Sequence, residues 1–160
     1  MSQIIQLKPE LENELLICRL IDAPVENVYR AWTEPALLKE WFCPKPWTVA
    51  KVESDLRVGG TSRMVMRSPE GQEFPSEGVY LEIVPNKKLV FTDAFTSAWV
   101  PSGKAFFLGI IEFEARGNQT MYTARARHWN KSDRDEHSKM GFEEGWGKCA
   151  DQLEALAQKL

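Results

Sequence analysis

Residues 140–160 constrain this chain most. They read Met-Gly-Phe-Glu-Glu-Gly-Trp-Gly-Lys-Cys-Ala-Asp-Gln-Leu-Glu-Ala-Leu-Ala-Gln-Lys-Leu. Phe142, Trp146, Cys149, Leu153, Leu156 and Leu160 recur every third or fourth position, while Glu143, Glu144, Lys148, Asp151, Glu154 and Lys159 mostly fall elsewhere. This spacing predicts an amphipathic helix whose apolar stripe must cover another apolar surface. Ser132, followed by Asp135 and Glu136, reads as an N-cap with an acidic first turn, so the helix is expected to begin before Met140. Gly141, Gly145 and Gly147 are the anomaly. Each costs about 1 kcal/mol against alanine inside a helix, and about 3 kcal/mol together. That is a large loss for a small domain. Two uses are open: close backbone contact with a sheet beneath, or space left for a ligand against Trp146.

The surface to be covered lies upstream. Residues 15–21 form an apolar run rich in strand formers, stopped by Asp22-Ala-Pro. Pro24 can open a helix, and Val25, Val28, Tyr29 and Trp32 follow at helical spacing until Pro35. Residues 36–42 predict a second short helix with Leu37, Leu38 and Trp41 on its apolar side. From Trp47 the period becomes two. Strands are predicted over 48–52, 61–67, 79–84, 89–95, 106–114 and 120–129, with turns at Gly59-Gly60, Ser68-Pro-Glu-Gly, Pro85-Asn86 and Arg116-Gly-Asn-Gln. Residues 96–104 read as a loop around Trp99. In 61–67, Arg63 and Arg67 share the solvent face, so Met64 and Met66 point inward. In the last strand Arg125 and Arg127 are expected in solvent, which sends Ala124, Ala126 and His128 inward.

The predicted order is one strand, two short helices, six strands and a long helix. Sequential hairpins imply an antiparallel sheet, and the single long helix must cover its apolar face. The expected class is α+β: a curved antiparallel sheet of six or seven strands wrapped round a C-terminal helix, with a hollow between them for a ligand. The chain is read as one domain over 1–160, with residues 1–12 as an N-terminal extension.

Several classes are disfavoured. A net charge of −3 without a dense basic run argues against nucleic acid or an anionic membrane as partner. No apolar run is long enough to span a membrane, and the first residues lack a signal-peptide pattern. Cys18, Cys43 and Cys149 are odd in number and far apart, which suggests reduced thiols and a cytoplasmic location.

The chain also resembles a known superfamily. The stretches are Ala-Pro-Val-Glu-Asn-Val-Tyr-Arg-Ala-Trp-Thr-Glu-Pro-Ala-Leu-Leu-Lys-Glu-Trp-Phe (23–42), Asp-Leu-Arg-Val-Gly-Gly (55–60), Tyr-Leu-Glu-Ile-Val-Pro-Asn-Lys-Lys-Leu-Val-Phe-Thr-Asp (80–93) and Met-Gly-Phe-Glu-Glu-Gly-Trp-Gly (140–147). They resemble the helix-grip superfamily called SRPBCC, which includes START lipid-transfer domains, birch-pollen-allergen-like proteins and polyketide cyclases. Within it the chain is similar to the branch named for the activator of the heat-shock-protein-90 ATPase. The resemblance implies an apolar ligand held between the sheet and the last helix. It implies little about which ligand, because the superfamily transforms and binds many molecules.

Candidate chemistry is sparse. His128 and His137 are nine residues apart with no zinc-binding motif nearby, so no metal is expected. No phosphate loop or nucleophile elbow occurs, and no cofactor is expected. His128 is the sharpest polar candidate, since an imidazole suits proton transfer near neutrality. Its alternative is a structural bond to Asp133 or the helix start. His137 is expected on the exposed first turns of the helix. Asp93, between Phe91 and Phe95, would be a raised-pKa acid if it faced inward, and a solvated carboxylate otherwise. Trp41, Met64, Met66, Phe91 and Phe95 could line a pocket, as could Trp99, Met140, Phe142 and Trp146, because methionine and aromatic rings adapt to flat apolar ligands. Trp99 could serve as a lid or as a homodimer contact, and Phe106, Leu108 and Ile110, expected on the outer face, add to the dimer reading.

Three functions compete. The first is binding of a small apolar or aromatic molecule. The second is a cyclase or dehydratase using His128 or Asp93 as proton carrier. The third is a chaperone-accessory module, disfavoured because the additional N-terminal domain of such accessories is missing from this sequence.

Overall fold

The period-two stretches pair into one antiparallel sheet. The computed structural model describes residues 1–160. Its strands are β1 (Gln3–Ile4), β2 (Glu14–Ile21), β3 (Thr48–Ser54), β4 (Thr61–Arg67), β5 (Glu73–Val84) and β6 (Lys88–Thr92), then a short pair β7 (Phe95–Thr96) and β8 (Val100–Pro101), then β9 (Phe107–Arg116) and β10 (Gln119–His128). Eight of them form the main sheet in the order β1-β2-β10-β9-β6-β5-β4-β3, while β7 and β8 pair only with each other. Helices α1 (Val25–Thr33) and α2 (Pro35–Trp41) follow β2, and α3 (Lys131–Lys139) and α4 (Phe142–Ala157) end the chain. No helix is long and apolar enough to cross a membrane.

The N-terminal segment supplies the edge strand. Gln3 and Ile4 pair with Leu20 and Arg19 of β2, and Ser2 hydrogen-bonds Asp151 of α4 through its amide (2.7 Å) and hydroxyl (2.6 Å). At the other end, register shifts near Ala50 in β3 and Leu81 in β5 mark bulges. Bulges sharpen the twist of a sheet and bend its strands.

The core forms where α4 crosses the inner face of β2, β10 and β9. Phe142, Cys149, Ala150, Leu153 and Ala157 of α4 meet Ile17 and Ile21 of β2, Ala124 and Ala126 of β10, and Ile111 and Phe113 of β9. The alanines of β10 are fully buried, so small side chains under the helix bring it close to the sheet. Residues of α1 and α2, among them Val28, Trp32 and Trp41, join the same cluster. From β3, β4 and β5 only the partly buried Val52, Met64 and Ile83 pack against it. The helix therefore covers half the sheet and leaves the other half open.

Several expectations change. The predicted C-terminal helix is two helices, broken at Gly141, whose φ of 89° lies in the left-handed region that glycine adopts without Cβ strain. The N-cap is Asn130, not Ser132: Asn130 Oδ1 accepts from Asp133 N at 2.8 Å. Pro35 follows the end of α1 and sits at the first position of α2, where its missing N–H costs nothing. The strand predicted over 89–95 stops at Thr92. Arg125 is not in solvent but 7% exposed, because Glu14, Glu112 and Glu10 bind it on the outer face of the sheet. Leu108 and Ile110 share that outer face, opposite Arg127 and Arg125 in the register. Phe106 does not: it precedes β9 and turns toward the interior.

Candidate functional site: an apolar cavity under the last helix

The open half of the sheet encloses a cavity of about 470 Å³. That lies within the range of small-molecule sites. Its floor is the inner face of β4, β5 and β6, with Met64, Met66, Tyr80 and Phe91 exposed to it. Trp32, Leu38, Trp41 and Phe42 from the first helical pair make one wall. Phe106 and Phe107 make another, and His137, Met140, Phe142, Gly145 and Trp146 close the top. The rings brace one another. Trp146 lies edge-on to Phe42 at 6.0 Å and beside Phe142 at 5.2 Å, and Phe91 meets Phe107 at 6.2 Å. Gly109 in β9 makes room for Phe91, because a Cβ there would come within 2.5 Å of its ring.

The three glycines near the C-terminus have three separate causes. Gly141 provides the left-handed residue between α3 and α4. Gly147 sits over Arg19 of β2, and a Cβ would stand 2.6 Å from its Nη2. Gly145 faces the cavity, and a Cβ there would meet nothing within 4 Å. The open space beside Trp146 is therefore at Gly145, and the close contact is at Gly147.

Of the residues singled out by sequence, Trp41, Met64, Met66, Phe91, Asp93, Met140, Phe142 and Trp146 meet around this one space. Phe95, Trp99 and His128 do not line it. Trp99 stands 49% exposed outside, stacked edge-on to Phe95 at 5.8 Å and across Gly59. Asp93 is at the rim, where its Oδ1 accepts from the amides of Phe106 (2.9 Å) and Phe107 (3.2 Å). Those bonds tie the start of β9 to the end of β6 and explain why the strand stops at Thr92.

The histidines are the largest correction. His137, expected in solvent, is 8% exposed, and its Nδ1 lies 2.8 Å from Nε2 of His128. His128 in turn places Nδ1 3.0 Å from the carbonyl of Asn13, so Asp133 is not its partner. Phe106, Phe107 and Phe142 surround His137 at 5.0–5.4 Å. Burial, followed by the neighbouring His128, pushes the His137 pKa down to about 4. His137 is a cavity residue that sequence reasoning missed. Helix α3 reads Lys-Ser-Asp-Arg-Asp-Glu-His-Ser-Lys, with no apolar residue to mark an inner face. Phe107, Tyr80 and Trp32 were also missed as lining residues.

Cys149 lines the cavity too. Its Sγ donates to the carbonyl of Phe42 at 3.1 Å, and burial pushes its pKa up to about 12. Cys43 is pushed up to about 11 by the same cause. All three cysteines are free and buried. No group of three or more His, Cys, Asp or Glu side chains is placed to hold a metal ion.

An antiparallel sheet gripping a C-terminal helix, with an apolar chamber between them, defines a helix-grip domain of the SRPBCC type. The chain belongs to the family described as activator of Hsp90 ATPase homolog 1-like protein, whose model matches residues 22–158. It is similar to a protein of known crystal structure from Nitrosomonas europaea, with 40% identity over 94% of this chain and 97% of that one, at a TM-score of 0.91. A Chromobacterium violaceum protein is 26% identical over 90% of this chain and 96% of its own, with a TM-score of 0.74. An Arthrobacter aurescens protein at 22% identity shares the fold, with a TM-score of 0.80 over 99% of this chain and 94% of its own. No curated protein matches the sequence.

Proposed function

We propose that the chain binds a small apolar or aromatic molecule in the cavity between β4–β6 and the α3–α4 corner. The observation that carries this reading is the cavity itself: about 470 Å³, walled largely by aromatic rings and methionines, and left unfilled by the core. Burying a ligand there gains about 25 cal/mol per Å² of apolar surface. A glycine at 145, where a side chain would project into free space, favours an occupied cavity over a scaffolding role. Three buried free thiols suit a cytoplasmic setting.

The geometry gives the cyclase or dehydratase reading less support. Its two proton carriers do not converge: His128 lies behind His137, and Asp93 is already held by two backbone amides. Exposed Trp99 leaves a homodimer contact open, and no feature of the surface favours the chaperone-accessory role.

Native mass spectrometry of the protein purified from its own host tests the binding reading. A retained small molecule is expected, and Trp146→Ala should reduce its occupancy severalfold. No retained mass, or retention unchanged by Trp146→Ala, would reject this site.

A further inference from the structure

The two histidines fix each other's protons. The carbonyl of Asn13 can only accept. It takes one bond from the amide of His128 at 2.9 Å and lies 3.0 Å from that residue's Nδ1. Nδ1 of His128 therefore carries the hydrogen. In a neutral ring, Nε2 is then a bare lone pair. Its neighbour at 2.8 Å is Nδ1 of His137, which must carry the hydrogen of that contact. A second bare lone pair is thus left at Nε2 of His137.

Neutrality follows from the surroundings. The rings are 7% and 8% exposed and pack against Phe106 and Phe107, and no carboxylate is within ion-pair distance of either. A buried charge without a partner is costly. Burial correspondingly holds the His137 pKa near 4.

The free nitrogen belongs to a residue of the cavity wall. It has no protein partner. Ser102 Oγ is the one sealed side-chain nitrogen or oxygen without a partner, so Nε2 of His137 is open to the space beside it. Some neighbouring polar atoms are already bonded, while Asp93 Oδ2 and the hydroxyls of Ser62 and Ser76 are further polar groups of the lining. Thr92 Oγ1 donates to the carbonyl of Phe107 and accepts from Ala94 N, Asp93 Oδ1 accepts two amides, and Tyr80 Oη is paired with Ser54.

We propose that Nε2 of His137 points into the cavity as a hydrogen-bond acceptor and selects an apolar or aromatic ligand that carries a hydroxyl, a phenol or alcohol, over an acceptor-only analogue. The inference rests on the cavity-binding reading above. His128 and the Asn13 carbonyl act as positioning groups that hold the tautomer. A ligand ether or ketone at this point would set lone pair against lone pair, and a buried acceptor left unpaired weakens binding. An imidazole this hard to protonate accepts the hydroxyl's hydrogen bond without removing its proton.

Two probes with one ring system test it: 2-naphthol and 2-methoxynaphthalene, titrated into the full chain by calorimetry. The wild type should bind 2-naphthol about 5–20-fold more tightly, the range for one hydrogen bond plus an avoided unpaired acceptor. His137→Asn keeps an amide N–H for His128 and lacks Nε2. Its preference should fall to within about twofold, through weaker binding of 2-naphthol and somewhat tighter binding of 2-methoxynaphthalene. No preference in the wild type, or a preference that survives His137→Asn, overturns the inference while leaving cavity binding intact. Binding of neither probe overturns both. A ligand-free measurement stands apart from these. Proton–nitrogen correlation spectra of the chain's two histidines should show both as Nδ1–H tautomers, and a proton on Nε2 of His137 overturns the assignment.

Discussion

The guanidinium of Arg19 lies directly beneath Gly147, 2.6 Å from where a Cβ would stand. Arg19 is 9% exposed, and its one side-chain hydrogen bond runs from Nη1 to the carbonyl of Cys18 at 3.2 Å. Gly147→Ala would gain helix propensity but force a buried cation to move. The displaced group is the end of a flexible side chain, so its move offsets only part of the helix gain of about 1 kcal/mol, and the net stabilisation should fall below that at 145. In an Arg19→Leu background the same change should give the full gain of about 1 kcal/mol. Gly145→Ala, with nothing near its Cβ, should stabilise the wild type by up to about 1 kcal/mol. Urea unfolding of the four variants measures the contrast, and equal effects at 145 and 147 would contradict this account of the glycines.

Glu14 joins β2 to β10 on the outer face. Its side chain is fully buried, 2.9 Å from Nη1 of Arg125 and 2.7 Å from Nε of Arg127. Burial raises its pKa, but bonds from Arg127, the Glu10 amide and Arg125 outweigh burial and hold it below the usual carboxylate range. Its contribution is therefore full above the unfolded value, about 4.3, and is lost as pH falls through the lower folded value. Glu14→Gln leaves Arg125 with Glu112 and Glu10 and Arg127 with Glu10, and should cost about 1–2 kcal/mol for the weakened charged hydrogen bonds. Thermal unfolding at neutral pH checks this.

His137 predicts a second, milder acid effect at higher pH. Its folded pKa of about 4 lies below the ordinary value of 6.5. The unfolded chain then binds more protons between those values, so stability is full above pH 6.5 and declines toward pH 4. The loss should be about 2 kcal/mol once water in the cavity is allowed for. His137→Asn, which does not titrate there, should show a flatter stability profile over that window in urea titrations.

The thiols should be inert in the native state. With Cys149 pushed to about 12 and Cys43 to about 11 by burial, little thiolate exists at pH 8. Cys18 is 3% exposed. A disulfide reagent should label no cysteine over minutes in buffer and all three in denaturant. Rapid labelling of Cys149 alone would show that the cavity opens to reagent and favours thiolate.

Much of the fold was legible in order along the chain. Alternation over 61–67 put Met64 and Met66 inward, the hairpin signal at Gly117-Asn118 joined β9 to β10, and the stripe from Phe142 to Leu153 became the core face of α4. Each of these is a matter of local period, which residues a few positions apart carry between them. The site was only half legible. Period two places a methionine on a face but not under a helix or beside it, so Met64 and Phe95 read alike, yet one lines the cavity and the other lies outside it.

Local pattern alone settled which stretches are strands, which helix face is apolar, and that the helix must lie on the sheet. Closure of the chain settled the rest. His137 is buried because Phe106, Phe107 and Phe142 arrive round it, and Arg125 is buried because Glu14, 111 residues away, meets it across the β2–β10 pair. The hydrogen on each imidazole depends on the carbonyl of Asn13, 115 residues before His128. Burial and hydrogen bonding belong to groups that meet in space. No period shorter than the chain can encode them.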